Sequence, residues 1–570
     1  MTDTVRDSIY EAIASIRLID PHTHINPHAP ASNTLADLLG YHYYTELAHS
    51  AGMPKSEIEE DGLSDRELVR RLVTNLSPIE NTAQYRWLIE ICRKFFGFSG
   101  DRLDESNWEE VYETSEKQMK IAEWPQMVLD QSNVEAVFLT NDFDDELEGF
   151  DSDTYIPCLR TDDLVFHLPK SQTRERLAAC TGIELDGSLA NLRESLRQRF
   201  EHFTGRGARA CAISLPPDFC PTRVSDGRAT TALNDVLLKG VMADPAHQTA
   251  LSRSVFWTLA ELCDDYGLPF DLMIGVNRGV YPDGVYQGQD LYDSRVSLIQ
   301  YRELFNSFPQ VKFPISVLAS VTNQELVSYA WIFPNVITNG HWWYSNTPSF
   351  IARDAAARLE AVPQTKQIAY YSDAYKLEFV WPKFDMYRRI LSGILSDHFV
   401  KGNGWSEERA IELGRRILRS NVDEIFPKPT AIANRAEPAT TESINSDSDT
   451  FNPNPEVISV INDDDLDPLP SHEEIQSANA DDVQLFDDSI ENRHPTTETL
   501  ESEIDPEPLD VGDVLGTTSE ASTESEIRML RGEGSFEVDE ESLLLRPDPT
   551  TGELKLPPSN GGEESTSSDD

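Results

Sequence analysis

The first 430 residues predict an α/β fold, a (β/α)8 barrel of the TIM type, from three observations. Short apolar runs typical of buried parallel strands alternate with helical patterns over about 400 residues. Several runs end in polar residues, as in barrels that build their active sites at the carboxyl ends of the strands. Residues 30–130 form a stretch too long for an ordinary loop, which indicates a helical subdomain inserted after the first strand.

The composition changes sharply after residue 430. Residues 431–570 contain 37 Asp and Glu but 6 Lys and Arg, so they carry −31 of the chain's net charge of −51. Such a segment cannot bury enough apolar surface to offset the entropy lost on ordering. We therefore predict two parts, a barrel domain at 1–430 and a disordered acidic tail at 431–570. Apolar islands at 457–461 and 543–545 leave open whether the tail docks an unknown protein or only aids solubility.

Charge, hydropathy and cysteine usage argue against several classes of protein. An acidic chain is a poor ligand for nucleic acid, and without an apolar run of about 18 residues no membrane span is expected. The N-terminus lacks the basic and apolar regions of a signal peptide. Six cysteines without a Cys-x-x-Cys pair predict a reduced, cytoplasmic enzyme. The sequence is compatible with a homo-oligomer and leaves the oligomeric state open.

The first strand carries the main chemical signal. A helix is predicted at 4–16, followed by a strand at about 17–21 that runs into His22-Thr23-His24. Because alternate strand residues point to the same side, both imidazoles share one face, and Asn26-Pro27 ends the strand soon after them. Two neutral imidazoles can hold a divalent metal once a third ligand joins them. The alternative is a strand end with two solvent-facing histidines.

Six later apolar runs are strand candidates, which with the first makes seven, so one short strand is left unassigned. These runs are at 134–140, 208–215, 270–276, 314–318, 336–339 and 368–373. Helices are predicted at 189–203, 247–265, 288–308, 323–332, 348–360, 382–399 and 407–425. This alternation of strands and helices is typical of a parallel sheet.

Asp373 ends the last apolar run and is the candidate third ligand. In a closed barrel the last strand lies beside the first, so this carboxylate could join His22 and His24 on one metal while reaching a substrate proton. The alternative is that Asp373 caps the helix that follows, which is a common role for aspartate.

Several segments together resemble one enzyme family. His22–Pro27 followed by Leu38–Tyr43 resembles the opening of the uronate (glucuronate) isomerases, a branch of the amidohydrolase superfamily. The similarity continues in the same order over nearly all of residues 5–427. Further similar segments begin at Trp87, Thr140, Ile156, Ile274, Asn323, Gly340 and Tyr387. No single segment is decisive, but their shared order is specific.

The resemblance implies a barrel with one divalent metal, commonly zinc, bound by His22, His24 and Asp373. It also implies isomerisation of a small sugar acid, a hexuronate, of the D-glucuronate to D-fructuronate type. Moving a hydrogen between C2 and C1 needs a base near the C2 proton, an electrophile for the enediolate and a cation for the C6 carboxylate. The candidate catalytic residues are Asp373 as base, and His42 and Tyr43, which could stabilise the oxyanions if the metal does not.

Four residues are candidates for binding the sugar acid: Arg160, Arg278, Trp343 and His341. Arg160 could grip a carboxylate through its planar guanidinium. Trp343 could form a wall against the sugar ring, although aromatic residues at strand ends more often serve packing. His341 could be a polar group of the pocket or a satisfied loop histidine.

Four segments depart from the family pattern. Where members usually carry Ser-Asp-His, Gln-x-His, Asp-Ser-Arg and Lys-Trp-Arg, this chain has Cys-Ala-Ile at 211–213, Asp-Leu-Met at 271–273, Asp-Ala-Tyr at 373–375 and Tyr-Thr-Glu at 44–46. Two arginines of the sugar-acid site are therefore absent. The metal set is kept while the substrate side is changed.

Three functions follow from this combination. The leading one is a hexuronate isomerase. The second is a metal-dependent hydrolase or lyase of the amidohydrolase superfamily acting on another sugar acid or carboxylate, because one fold hosts many chemistries. The third is a binding or regulatory protein with weakened catalysis. For the isomerase we expect Asp373→Asn to abolish proton transfer and Glu46→Gln to be mild.

Overall fold

A computed structural model describes residues 4–428 of the chain, and the predicted acidic tail at 431–570 lies outside the described residues. Eleven short strands occur in this part of the chain. They are β1 Leu18–Asp20, β2 Val134–Phe138, β3 Tyr155–Ile156, β4 Cys158–Arg160, β5 Ala210–Leu215, β6 Phe270–Ile274, β7 Val276–Asn277, β8 Leu291–Tyr292, β9 Phe313–Val317, β10 Val336–Asn339 and β11 Gln367–Ile368.

The strands form two parallel sheets and one small hairpin. The first sheet has the order β1-β2-β3, the second has the order β11-β10-β9-β6-β5-β4, and β7 pairs antiparallel with β8. β3 and β4 are separated only by Pro157, which has no N–H group to donate. The backbone N–H of Asn141, just after β2, donates to Cys158 of β4 at 3.0 Å and so links the two sheets. The predicted α/β fold with parallel strands is confirmed.

The segment Tyr155–Arg160 is the strand that the sequence left unassigned. Its two halves are two and three residues long, with Pro157 between them, so neither half is long enough to show a periodic pattern. At the other edge, hydrogen bonds join the segments that follow β1 and β11. Asp373 N–H donates to His22 at 3.1 Å, and His24 N–H donates to Ala374 at 2.8 Å.

Helices fill the connections between the strands. After α1 Thr4–Ala14, seven helices lie between β1 and β2: α2 Leu35–Leu39, α3 His42–Ser50, α4 Lys55–Ile58, α5 Asp65–Thr74, α6 Ala83–Phe96, α7 Trp108–Met119 and α8 Trp124–Ser132. The later helices are α9 Asp162–Phe166, α10 Ser171–Thr181, α11 Leu189–Gly205, α12 Asp226–Lys239, α13 Pro245–Tyr266, α14 Arg302–Ser307, α15 Asn323–Ile332, α16 Pro348–Ala361, α17 Val380–Ile394, α18 Glu407–Arg415 and α19 Asn421–Ile425. Within residues 4–428, none of the helices combines the length and the apolar character that crossing a bilayer requires.

The helix predicted at 288–308 is wrong in its first half. Residues 276–292 form the β7-β8 hairpin and its long loop, and the α-helix begins only at Arg302. Within the predicted range, Leu291 and Tyr292 pair antiparallel with β7, and Asp293 N–H donates to the Gly275 carbonyl at 3.3 Å. Backbone groups that pair with another strand in an extended conformation cannot belong to a continuous helix.

Two large buried clusters hold the described part together. One joins α1 and the helices between β1 and β2 to α16, α17 and α18, and the other packs helices α9 to α15 against the strands. Glu378 links the inserted helices to the segment before α17, because its buried carboxylate accepts from Ser32 N–H at 2.9 Å and Trp124 Nε1–H at 2.8 Å. This packing positions the inserted helices beside the carboxyl ends of the strands.

Candidate active site

A cavity of about 240 Å³ opens at the carboxyl ends of the parallel strands. Seven side chains that belong to six strands, or lie just after them, line the cavity: His22, His24, Thr140, Arg160, Ser214, Met273 and Asp373. The helix α3 adds His42, and the loop between β7 and β8 adds Gln287 and Asp290. The cavity therefore has one wall made by strand ends and another made by a loop.

The two histidines and the aspartate of the predicted metal set converge on this cavity. His22 Nε2 lies 3.5 Å and His24 Nε2 lies 3.3 Å from Asp373 Oδ1, and one ligand atom from each residue falls within 4.8 Å of the others. His22 Nε2 and Asp373 Oδ1 are fully buried, and neither has a hydrogen-bond partner among the described residues. Unpartnered buried polar atoms are costly unless another group satisfies them. Two imidazole nitrogens and a carboxylate oxygen are a donor set that suits zinc.

Further side chains orient the two imidazoles. Thr140 Oγ1 lies 2.8 Å from His24 Nδ1 and also donates to the Thr23 carbonyl at 3.2 Å. A hydroxyl that donates its one proton to a carbonyl can only accept from Nδ1–H, so Nε2 of His24 keeps its lone pair. Behind His22, Asp271 Oδ2 lies 3.9 Å from Nδ1, and Asp271 Oδ1 accepts from Asn339 Nδ2–H at 3.0 Å. Burial raises the pKa of Asp271 to about 6.

Asp373 is held in a strained conformation as an ionised carboxylate. Its φ of 53° lies in the left-handed region that non-glycine residues rarely occupy. Burial favours the neutral acid, but the imidazoles of His22 and His24 beside it favour the charged form and hold the pKa of Asp373 well below its usual range. Asp373 is not the cap of the next helical turn, which begins at Leu377 with Lys376 before it. The cap alternative is therefore wrong.

A sequence profile of the glucuronate isomerase family matches residues 1–426. The chain belongs to the glucuronate isomerase family. Members of this family are aldose–ketose isomerases, which are intramolecular oxidoreductases. The resemblance seen in the sequence is thereby confirmed.

Relatives named as uronate isomerases match the chain, and solved structures share its fold. A uronate isomerase from Thermotoga neapolitana is 22% identical over 428 residues, covering 70% of this chain and 93% of the relative. A glucuronate isomerase structure from Caulobacter crescentus covers 77% of this chain and 98% of its own with a TM-score of 0.69 and 19% identity. A uronate isomerase structure from Thermotoga maritima covers 75% and 98% with a TM-score of 0.69 and 20% identity. These matches do not favour the hydrolase or lyase alternative.

In this glucuronate isomerase family member, four of the six predicted catalytic or substrate-binding residues besides Asp373 line the cavity. They are His42, Arg160, Arg278 and Trp343. Arg160 is steadied by Asp162, whose Oδ2 lies 3.2 Å from the arginine Nε. Arg278 pairs with Asp290 at 2.6 Å and is more than half exposed.

Tyr43 and His341 are not on the cavity wall. The Tyr43 ring packs against Trp87 and lies 4.9 Å from Lys383 Nζ, because its helix turns that face toward the protein core. His341 is 1% exposed and packs near Tyr387, with neither ring nitrogen hydrogen-bonded among the described residues. Burial lowers the pKa of His341 well below its usual value, so the ring is neutral. The positions of Tyr43 and His341 therefore do not support the prediction that these residues contact the substrate directly.

Several cavity residues were not identified from the sequence. Tyr375 stacks on His24 with ring centroids 4.9 Å apart, at the position where family members usually carry an arginine. Thr140 could have been found, because it directly follows an apolar strand, whereas Asp290 lies in the segment wrongly predicted as helix and Gln287 directly precedes that segment. The substrate side of the site is thus less predictable than the metal side.

Proposed function

We propose that this chain is a metal-dependent hexuronate isomerase that interconverts an aldose and a ketose of the D-glucuronate and D-fructuronate type. The observation that supports this best is the convergence of His22, His24 and Asp373 on one wall of the cavity, with two buried ligand atoms left unpartnered. We further propose that the divalent ion is zinc. When bound, this ion would supply Lewis-acid polarisation of substrate oxygens.

The side chains on the cavity wall suit the remaining roles. Asp373 is ionised and can accept the C2 proton of the aldose and return it to C1. Arg160 engages Asp162 through Nε and can offer its terminal N–H groups to the C6 carboxylate. Trp343 and Tyr375 give the cavity aromatic surfaces that exclude water from the sugar ring.

We also propose that the parallel strands close into a (β/α)8 barrel within a domain at 1–430, with the helices between β1 and β2 as an inserted subdomain. The hydrogen bonds between the segments after β1 and β11 support closure, because they bring His22 and His24 beside Asp373 and Ala374. Closure places the two ends of the ligand set on neighbouring strands.

A single experiment tests the function. Purified protein should contain about one equivalent of divalent metal and should exchange the C2 proton of a hexuronate with deuterium in an NMR assay run over a panel of uronates and aldonates. Asp373→Asn should lower this exchange by at least about 1,000-fold, because it removes the base and a ligand together. Asp142→Asn is the matched control, since Asp142 also follows a strand and pairs with Arg176 but does not line the cavity.

Two outcomes would contradict the proposal. The first is hydrolysis or elimination of a panel compound without isomerisation. The second is equal exchange rates for Asp373→Asn and Asp142→Asn.

A further inference from the structure

One acid–histidine pair lies directly behind the cavity wall. His42 and Glu46 are one turn apart on α3, and His42 Nδ1 lies 2.7 Å from Glu46 Oε1. His42 lines the cavity, whereas Glu46 does not, and the Glu46 side chain is 17% exposed. The Glu46 carboxylate therefore contacts the Nδ1 side of the His42 ring, while the His42 side chain lines the cavity.

We propose that Glu46 is a positioning residue for proton transfer and acts only through His42. With Nδ1–H donated to Glu46, Nε2 is the ring nitrogen left for the substrate, and the carboxylate stabilises the ring when Nε2 is protonated. This inference rests on the proposed isomerase function. It replaces the expectation from the sequence that Glu46→Gln is mild.

The proton transfers balance if His42 moves the proton between O2 and O1 and Asp373 moves the proton between C2 and C1. Asp373 first takes the proton from C2, which leaves an enediolate with its charge on O1. His42 Nε2 then accepts the proton from O2 and gives it to O1, and Asp373 returns its own proton to C1, which yields the ketose. Both side chains end in the protonation states in which they began.

The loop between β7 and β8 covers Glu46. A Cβ atom at Gly288 would come within 2.7 Å of Glu46 Cγ, so the loop backbone packs directly on this side chain. Lys55 Nζ donates to the Gly284 carbonyl at 2.8 Å and Tyr286 N–H donates to Glu59, which seat the loop on α4. Covering Glu46 reduces its contact with water and strengthens its interaction with His42.

Kinetics of Glu46→Gln test the proposal. Glutamine keeps the size and can still accept from Nδ1–H but carries no charge, so we expect kcat to fall about 10- to 100-fold with KM within about twofold. Glu46→Asp should recover part of the loss. Glu360→Gln is the matched control, because Glu360 makes the same contact with His398 at 2.6 Å away from the cavity, and its kcat should stay within about twofold.

A double-variant comparison separates positioning from a merely structural role. In a His42→Gln background, Glu46→Gln should change kcat by less than about twofold, because the group it acts through is gone. Gly288→Ala should lower kcat in the wild type and add little in the Glu46→Gln background. The proposal would be overturned if the kcat losses of the single variants multiplied in the double variants. It would also be overturned if Glu46→Gln left kcat unchanged.

Nitrogen NMR of the imidazoles gives a readout that needs no substrate. The wild-type protein should show His42 with its proton on Nδ1, and Glu46→Gln should increase the share of the Nε2–H form. An Nδ1–H signal in a protein that is inactive on every hexuronate would refute the proposed function and leave the His42–Glu46 contact intact. An Nε2–H form in an active wild type would refute the role of Glu46 alone.

Discussion

The two walls of the cavity differ in how they are held. His22, His24 and Asp373 follow β1 and β11, and backbone hydrogen bonds between these segments fix their spacing. Gln287 and Asp290 belong to the loop between β7 and β8, which is held by side-chain contacts to α3 and α4. The comparison shows that backbone pairing fixes the metal set, whereas the loop wall depends on side-chain contacts with the inserted helices.

Backbone strain occurs on both walls. Five non-glycine residues within 4–428 have positive φ, and three of them, Gln287, Trp343 and Asp373, line the cavity. Each such residue costs on the order of 1 kcal/mol and persists only where its surroundings enforce it. Two hydrogen bonds hold Asp373 in this conformation. Its own N–H donates to the His22 carbonyl, and the Tyr41 hydroxyl donates to the Asp373 carbonyl at 3.1 Å.

The largest effect is expected from Thr140→Val, which should weaken zinc binding at the strand-end wall of the cavity. The change removes the hydroxyl that accepts from His24 Nδ1–H, so His24 can adopt the other tautomer, with its proton on the nitrogen that faces Asp373. Zinc affinity, measured by competition with a chelator, should fall about 10- to 100-fold. Thr161→Val is the control, because this buried hydroxyl donates to the Ala212 carbonyl and not to a histidine. An unchanged zinc affinity in Thr140→Val would show that the strand-end wall does not depend on this contact.

The next effect concerns Lys383, which supports Asp373 from the protein interior. Its Nζ donates to the Ser372 carbonyl at 2.8 Å and lies 4.9 Å from the Trp87 ring, and burial lowers the pKa of Lys383 to about 8. Between pH 8 and 10 the unfolded chain keeps this proton, since a free lysine has a pKa of about 10.4, while the folded protein loses it. The unfolded state then binds more protons, so stability rises with pH in this window.

Comparison with Lys383→Met isolates that contribution. The free energy of unfolding of the wild type, measured in denaturant, should rise by about 2 kcal/mol relative to the variant between pH 8 and 10, and the difference should be flat below pH 8. Lys120→Met removes an exposed lysine and should give a difference that does not vary with pH. A wild-type stability that falls relative to Lys383→Met in this window would show that Lys383 is not a desolvated cation behind the strand-end wall.

The same contrast explains what could be predicted from the sequence. His22, His24 and Asp373 were identifiable because strand periodicity and strand order determine where their side chains meet. The segment Tyr155–Arg160 escaped detection because Pro157 divides it, and Glu46 escaped because its role depends on a contact made one helical turn away. Local patterns do not report such contacts, since a glutamate on a helix surface is usually just solvated.

The smallest effect is expected on KM for the hexuronate, when each of the two arginines on the cavity wall is replaced by lysine. Arg160 belongs to β4, and its N–H bond to the Asn141 carbonyl at 3.0 Å fixes its backbone, whereas Arg278 is 57% exposed beside the loop and already paired with Asp290. Lysine cannot reproduce a bidentate grip on a carboxylate, so Arg160→Lys should raise KM for the hexuronate about 10-fold. Arg278→Lys should raise KM less than about threefold, because exposed, already paired charges contribute little. If Arg278→Lys raised KM more than Arg160→Lys, the loop wall and not the strand-end wall would hold the substrate carboxylate.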